Sequence, residues 1–224
     1  MTLPSIFIGS DGSKTLLRDD LNETYHSRHG AIPESNHVFI GAGLHFGLNQ
    51  WSTAEIQLLE IGFGTGLNAM LTALEAERLK LSVHYHALET VPLPYALVQD
   101  LGYFNEHPQE VQGMYQNLHE VTWEEEVKIN NHFSLHKTQT ALEHFVAPQA
   151  YHLIYFDAFA PDIQPELWQT SIFQMLYDCM HPQGILVTYS SKGDVRRSLM
   201  TAGFEVSKLG GPPRKRHMLR AIKK

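Results

Sequence analysis

The stretch Glu60-Ile61-Gly62-Phe63-Gly64-Thr65-Gly66-Leu67-Asn68 decides the fold. It closes an apolar run, Ile56 to Ile61 with Leu58 and Leu59, and leads into Leu67, Met70, Leu71 and Leu74 at helical spacing. The order is strand, tight turn, helix. Glycine lets the backbone turn sharply and leaves no side chain between it and a ligand. The N-terminus of the following helix presents unpaired N–H groups. The spacing Glu-x-Gly-x-Gly-x-Gly differs by one residue from the Gly-x-Gly-x-x-Gly of dinucleotide sites, where a pyrophosphate rests on the helix end. Such a turn also occurs as plain structure, so its meaning depends on what surrounds it.

Around it the chain alternates strand and helix. Strands are expected over 56–61, 82–88, 127–135, 151–157, 184–189, 204–209 and 216–222, seven in all, the last two joined through Gly210-Gly211-Pro212-Pro213. Helices are expected over 66–78, 92–101, 165–180 and 195–202, with a short helical piece at 141–145. Residues 108–121, with Val111, Met114, Tyr115 and Leu118 in register, read as an inserted helix. Phe7-Ile8 and Thr15-Leu16-Leu17 flank Asp11-Gly12, a hairpin signal. Residues 21–50 show no clear period; Tyr25, His26, Val38, Phe39, Ile40 and Leu44 are expected to pack against the sheet. The division that follows is 1–50 as hairpin and lead-in segment and 51–224 as the main domain, together one structural unit. The fold class is α/β, Rossmann-like, with a seven-stranded mostly parallel sheet and an N-terminal hairpin extension.

Bulk properties exclude several classes. The 224 residues suffice for one domain with its own core. No apolar run approaches the roughly 20 residues of a membrane span, and the N-terminus lacks the basic and apolar regions of a signal peptide, so a cytoplasmic location is expected. The single Cys179 sits in an apolar helical run and reads as a core residue. The fourteen histidines carry no metal-ligand spacing, so no metal is expected. Net charge is −7, yet residues 192–224 hold ten of the 17 Lys and Arg and only two acids, a local +8 on an acidic body. Such a face can draw a polyanion to one place, and is equally a solvated surface.

In open α/β sheets ligands bind beyond the carboxyl ends of the strands. Three features collect there. The glycine turn follows the first core strand, and its spacing suits the S-adenosylmethionine turn of Rossmann-like methyltransferases, whose ligand brings no pyrophosphate. Glu89 ends the second strand, 27 residues after Gly62, where an acid can accept both ribose hydroxyls. Asp157-Ala158-Phe159-Ala160-Pro161 follows the fourth strand. There the carboxylate can address a polar nucleophile, the aromatic can stack on a base, and the proline fixes the loop. Asp157 could instead cap the next helix, but that helix is expected to start only near Pro165.

These residues carry a specific resemblance. The chain resembles the methyltransferase domain of the bacterial tRNA 5-methylaminomethyl-2-thiouridine biosynthesis (MnmC-type) family from about Leu16 to Ile222. The matching blocks are Glu23-Thr24-Tyr25-His26-Ser27 with Gly30 and Glu34; Gly62-Phe63-Gly64-Thr65-Gly66-Leu67-Asn68; and Asp157-Ala158-Phe159-Ala160-Pro161 with Pro165-Glu166-Leu167-Trp168. Val195-Arg196-Arg197, Ala202-Gly203-Phe204 and Arg214-Lys215-Arg216 before Met218-Leu219 complete them. The resemblance implies S-adenosylmethionine as cofactor and methyl transfer to the 5-aminomethyl group of (2-thio)uridine at the tRNA wobble position.

Carried residue by residue, it implies cofactor binding by Glu60, Gly62, Gly64, Thr65, Gly66, Asn68, Glu89 and Asp157, with Asp157 also the catalytic candidate. Asp157 is expected to orient the amine first and to act as a base second. Tyr25, Phe159 and Pro161 would enclose the wobble base, which must leave its stack to react. Arg196, Arg197, Arg214, Lys215 and Arg216 would contact phosphates. Some family members carry a fused flavin-dependent oxidase; no flavin is expected in this chain. The family's Gly-Asp after the third strand, which meets adenine, is replaced by His136-Lys137-Thr138, and its Gly-Phe-Gly before the basic triplet by Gly211-Pro212-Pro213. Two other readings stand beside this one. One is an amine N-methyltransferase or aminopropyltransferase acting on a small molecule; the other is a tRNA-binding module without chemistry.

Overall fold

A strand with apolar side chains on both faces belongs in a sheet that helices cover on both sides. The chain supplies two such strands at its centre. In the computed structural model, which describes residues 4–9, 12–26, 30–148, 150–213 and 215–224, they are Glu55–Ile61 and Tyr151–Phe156, nearly every side chain buried. Of the residues singled out in the sequence, Asp11, Ser27 and Arg214 lie outside the described ones.

The chain starts with a small antiparallel sheet, β1 (Ser5–Ile8), β2 (Lys14–Arg18) and β3 (Glu23–Thr24). A helical segment follows: α1 (Ala31–Ser35), a π-helical middle over Asn36–His45, and α2 (Phe46–Leu48). The core then runs β4 (Glu55–Ile61), α3 (Leu67–Leu79), β5 (Ser82–Glu89), α4 (Tyr95–Val98), α5 (Gln109–Glu120), β6 (Glu126–Lys128), β7 (Phe133–Gln139), β8 (Tyr151–Phe156), α6 (Thr170–Asp178), β9 (Met180–Thr188), α7 (Gly193–Thr201), β10 (Glu205–Gly210) and β11 (His217–Ile222). The main sheet has the order β10-β11-β9-β8-β4-β5-β7-β6. It is parallel from β9 through β8, β4 and β5 to β7, and antiparallel at both edges. The strand order reverses between β4 and β8, so the glycine turn and Asp157 leave the sheet side by side at its switch point.

Three expectations are corrected. The sheet has eight strands rather than seven, because 127–135 divides at Asn130 into a hairpin of β6 and β7, where the Asn130 side chain receives the His132 N–H. The helix expected over 165–180 is two pieces, a 3-10 turn over Pro165–Trp168 and α6, with Gln169 extended between them. The expected helical piece at 141–145 is a 3-10 turn over Leu142–His144.

Residues 21–50 hold more regular structure than their sequence suggests. Val38, Phe39, Ile40 and Leu44 share a buried core with Leu58, Tyr85 and Tyr155 of the main sheet, and Leu16 of β2 joins the same cluster. Gly43 permits this close packing, since a Cβ there would stand 3.0 Å from Val187 and 3.2 Å from Tyr155. The other face of the sheet packs against Ile172, Phe173, Leu176, Val195 and Leu199 of α6 and α7. Among the described residues no helix is long and apolar enough to cross a membrane.

Candidate active site

Gly62 has φ +90°, and a Cβ there would meet the Asp157 carbonyl oxygen at 3.0 Å. Only glycine lets the ends of β4 and β8 come this close. Gly64, at φ +49°, lies against the ring of Tyr25, which a Cβ would approach to 3.2 Å. The turn is fixed from three directions. The N–H groups of Gly62 and Phe63 donate to the Leu88 carbonyl at 3.0 and 3.1 Å. One oxygen of Glu89 accepts the Gly64 N–H at 3.0 Å, and the other accepts those of Thr90 and Val91 at 2.8 and 2.9 Å. The Thr65 carbonyl accepts from the Tyr115 hydroxyl at 2.7 Å and from His119 Nε2 at 3.0 Å, so the inserted helix α5 clamps the turn from outside. His26 shares a 2.6 Å hydrogen bond with the Thr65 hydroxyl, and burial, helped by the nearby Lys215 charge, lowers its pKa to about 4, so it is neutral.

Behind the turn two carboxyl groups share one donor. Asn68 Nδ2 gives hydrogen bonds to Glu60 Oε1 at 3.0 Å and to Asp157 Oδ2 at 2.9 Å. Desolvation raises Glu60 well above the ordinary carboxylate range, against the opposing Asn68 bond. Desolvation also raises Asp157 to about 8; the charge of Glu34 adds to the rise, while Asn68 and Lys215 oppose it. Glu89 is raised by burial as well, opposed by the backbone N–H groups of Val91, Gly64 and Thr90. Three carboxyl groups held high around one turn form a site that a cationic ligand would stabilise by favouring their ionised forms.

The loop after Asp157 is braced by side chains. Gln164 Oε1 accepts the Phe159 N–H at 3.2 Å, Trp168 Nε1 donates to the Phe159 carbonyl at 2.9 Å, and the Tyr189 hydroxyl donates to the Ala158 carbonyl at 2.9 Å. Phe159 meets Tyr25 edge to face, with centroids 5.2 Å apart. Together these groups bound a cavity of about 630 Å³ lined by the glycine turn, Glu89, Asp157, Tyr25, Phe159 and Lys215.

The structure brings Gly62, Gly64, Thr65, Asn68, Glu89, Asp157, Tyr25, Phe159 and Lys215 onto that cavity. Glu60 lies buried behind it on Asn68, and Gly66 sits in the turn, facing His119 and Phe63. Pro161 does not line it; the rim turns away beyond Ala160. Arg196 and Arg197 are exposed on α7, outside the lining, and Arg197 pairs with Asp194. Arg216 is exposed beside β11, also outside the lining. Lys215 differs from its basic neighbours: it points inward and pairs with Glu34.

Lys137, which stands in the stretch that replaces the family's adenine-meeting Gly-Asp, has a different place. It does not reach the cavity. It is fully buried on the face of β7 that also carries Phe133 and Leu135. There its ammonium donates to the Leu118 and His119 carbonyls, both at 2.9 Å, and burial lowers its pKa to about 8. It therefore satisfies the free carbonyls at the C-terminus of α5. The residues that β7 actually delivers to the cavity are Thr140, Ala141, Leu142 and Glu143. Sequence reading gave no role to these, to Glu34 or to Tyr189. Glu34 had only its place in the matching blocks to mark it.

The residues present fit S-adenosylmethionine. Asn68 Oδ1 is buried without a hydrogen-bond partner among the described residues, an acceptor suited to an ammonium donor. Glu60 and Asp157 would hold positive charge near it, the Glu89 carboxyl on the cavity could accept hydroxyl donors, and the glycines leave room for backbone approach.

Comparison with known proteins agrees. A family model described as S-adenosyl-L-methionine-dependent methyltransferase matches residues 102–224, more than half of the chain. A tRNA 5-methylaminomethyl-2-thiouridine biosynthesis bifunctional protein MnmC from Methylobacillus flagellatus is 30% identical over 209 residues, which cover 88% of this chain and 32% of that protein. The chain thus spans about a third of the length of the curated relatives it matches. The crystal structure of MNMC2 from Aquifex aeolicus superposes with a TM-score of 0.74 at 27% identity, covering 100% of this chain and 72% of that one. Spermidine synthase from Thermotoga maritima shares the fold, with a TM-score of 0.58 at 12% identity over 98% of this chain and 68% of that one.

Proposed function

We propose that this chain, which belongs to the family of S-adenosyl-L-methionine-dependent methyltransferases, methylates the 5-aminomethyl group of (2-thio)uridine at the tRNA wobble position. The cofactor is S-adenosylmethionine, which when bound supplies the electrophilic methyl group. The observation that carries the reading is the placement of Asp157. It is a carboxyl raised to about 8 by burial, on the same cavity as the glycine turn and as Tyr25 and Phe159, whose rings meet edge to face. The relatives' names supply the tRNA substrate.

The chemical difficulty is the nucleophile. An alkylammonium has a pKa of about 10.4 and no lone pair while protonated. An ordinary aspartate, near 3.9, is too weak a base to relieve it at neutral pH. Asp157 at about 8 stands much closer to the amine. Its carboxylate would accept the substrate N–H and take a proton from the ammonium, which frees the nitrogen lone pair and holds it toward the place where the bound cofactor would present its methyl group. Alignment of the two reactants supplies the larger share of the acceleration. Tyr25 and Phe159 enclose the base, and the exposed Arg196, Arg197 and Arg216 meet the phosphates around it. Arg214 and Pro161 are assigned to the same face of the substrate. Residues 1–50 work with 51–224 as one unit, because Tyr25 and Glu34 come from the first and Asp157 from the second. A tRNA substrate places the reaction in the cytoplasm, with no metal and no flavin required of this chain.

The test is methyl transfer from labelled S-adenosylmethionine to aminomethylated and to unmodified tRNA, followed by nucleoside analysis. Label in 5-methylaminomethyl-2-thiouridine, from the aminomethylated tRNA alone, supports the reading. Label only on a free amine or polyamine would move the protein to the small-molecule class, and binding of tRNA without transfer would leave a module without chemistry.

A further inference from the structure

The cavity already contains an ammonium of the protein's own. Lys215 Nζ lies 2.5 Å from Glu34 Oε1 and 4.4 Å above the ring of Tyr189. The Glu34 side chain is only 11% exposed, whereas that of Lys215 is 39% exposed. A buried carboxylate and an aromatic face make a cradle for a cation, here filled by a side chain entering from the surface. The cradle is rigid. Glu34 belongs to α1, and the Tyr189 hydroxyl is fixed on the Ala158 carbonyl beside Asp157. It belongs to the reacting end of the cavity, since both Glu34 and Lys215 act electrostatically on Asp157.

We propose that Glu34 and Tyr189 form the subsite for the substrate's protonated aminomethyl group, which Lys215 fills until a polyanion draws it out. A lysine terminus and a protonated aminomethyl substituent are the same chemical object, a primary ammonium on a methylene. What fits one fits the other. Lys215 is continuous in sequence with Arg216 on an exposed loop, where phosphates of a bound nucleic acid offer it a competing partner. Exchange of one ammonium for the other keeps a cation against the Glu34 carboxylate throughout. Glu34 is therefore a specificity residue. It selects an amine over an alcohol or an unmodified uridine, and Asp157 receives the nitrogen once it is seated. The inference rests on the proposed methylation of an aminomethyl group.

Calorimetric binding of 5-aminomethyluridine and 5-hydroxymethyluridine, as free nucleosides with the product form of the cofactor present, tests it without turnover. Lys215→Met should tighten the aminomethyl nucleoside at least threefold and leave the hydroxymethyl analogue unchanged. Glu34→Gln should weaken the aminomethyl nucleoside about tenfold and abolish the preference for it, with cofactor affinity within twofold of wild type, which also shows that the variant is folded. With aminomethylated tRNA, Lys215→Met should instead raise KM several-fold, because a phosphate contact is lost. Weaker nucleoside binding in Lys215→Met, or an amine preference that survives Glu34→Gln, overturns the proposal. Failure of the wild-type protein to methylate aminomethylated tRNA would overturn the functional reading; the nucleoside preference tests the subsite separately.

Discussion

One wall of the cavity is made from residues 61–65, Leu67, Asn68 and Glu89; the other draws on Tyr25, Glu34, the 157–160 loop, Tyr189 and Lys215. The first is a single strand–turn–helix unit whose backbone is tied mainly to the end of the adjacent strand β5, aided by the clamp from α5. The second is assembled from segments up to 181 residues apart, as in the Glu34–Lys215 pair. The difference teaches how labour is divided. On the proposed reading, a cofactor common to many enzymes would be held by a compact local device, while the acceptor would be recognised by parts that only the complete fold brings together.

The largest effect on cofactor binding should come from breaking the local wall. Gly62→Ala places a Cβ against the Asp157 carbonyl at a positive φ. Strain of about 1–3 kcal/mol should weaken cofactor binding roughly 10–100-fold, measurable by calorimetry. If cofactor affinity is unchanged, the turn is not the cofactor wall.

A second effect follows from the pKa of Asp157, about 8 in the folded protein. A cationic cofactor favours the ionised carboxyl, so binding releases a proton. Affinity should rise roughly tenfold between pH 6.5 and 8. Asp157→Asn should flatten that rise. The same shift has an opposite sign for the ligand-free protein. A carboxyl raised above its unfolded value stabilises the fold fully below about pH 4 and loses that contribution as pH rises through about 8. Thermal melts of wild type and Asp157→Asn across pH 5–9 should therefore lie closest at the acid end and diverge toward pH 9, where the wild type alone carries a buried charge, with the variant less sensitive to pH.

The wall assembled from afar also explains what the sequence could and could not disclose. The apolar run from Ile56 and the glycine spacing place β4, the turn and α3 because each rests on neighbours in the chain. Glu89 and Asp157 are legible as strand ends. The helical segment 31–48 is not, because Gly41, Gly43 and Gly47 interrupt its pattern and only packing on the sheet holds it; Gly47 is where Trp51 closes in, its ring 2.1 Å from any added Cβ. The long helix at 165–180 breaks at Gln169, just after Trp168 is tied to Phe159. The place of Lys137 is illegible for a similar reason. Its partners are carbonyls 18 and 19 residues upstream, which no local pattern points to.

Smaller effects sharpen the contrast. Lys137→Met leaves the Leu118 and His119 carbonyls unpaired, at a cost of about 1–3 kcal/mol. The melting temperature should fall by roughly 4–8 °C, with cofactor affinity changed less than threefold. A loss of cofactor binding far beyond the loss of stability would give Lys137 a direct role. Smallest of all, Arg196→Ala with Arg197→Ala should weaken tRNA binding several-fold and flatten its log–log salt dependence by roughly 1.5. Cofactor affinity should not move. An unchanged salt slope would leave α7 outside the tRNA interface.

The two walls meet at Asp157, and single-turnover methyl transfer from the preformed cofactor complex to aminomethylated tRNA tests that meeting most directly. Wild-type protein should transfer the methyl group to the aminomethyl nitrogen. Asp157→Asn, with cofactor and tRNA both bound, should be slower by roughly 10²–10⁴-fold, the range of positioned general-base catalysis. A variant that transfers the methyl group at near wild-type rate would contradict the account.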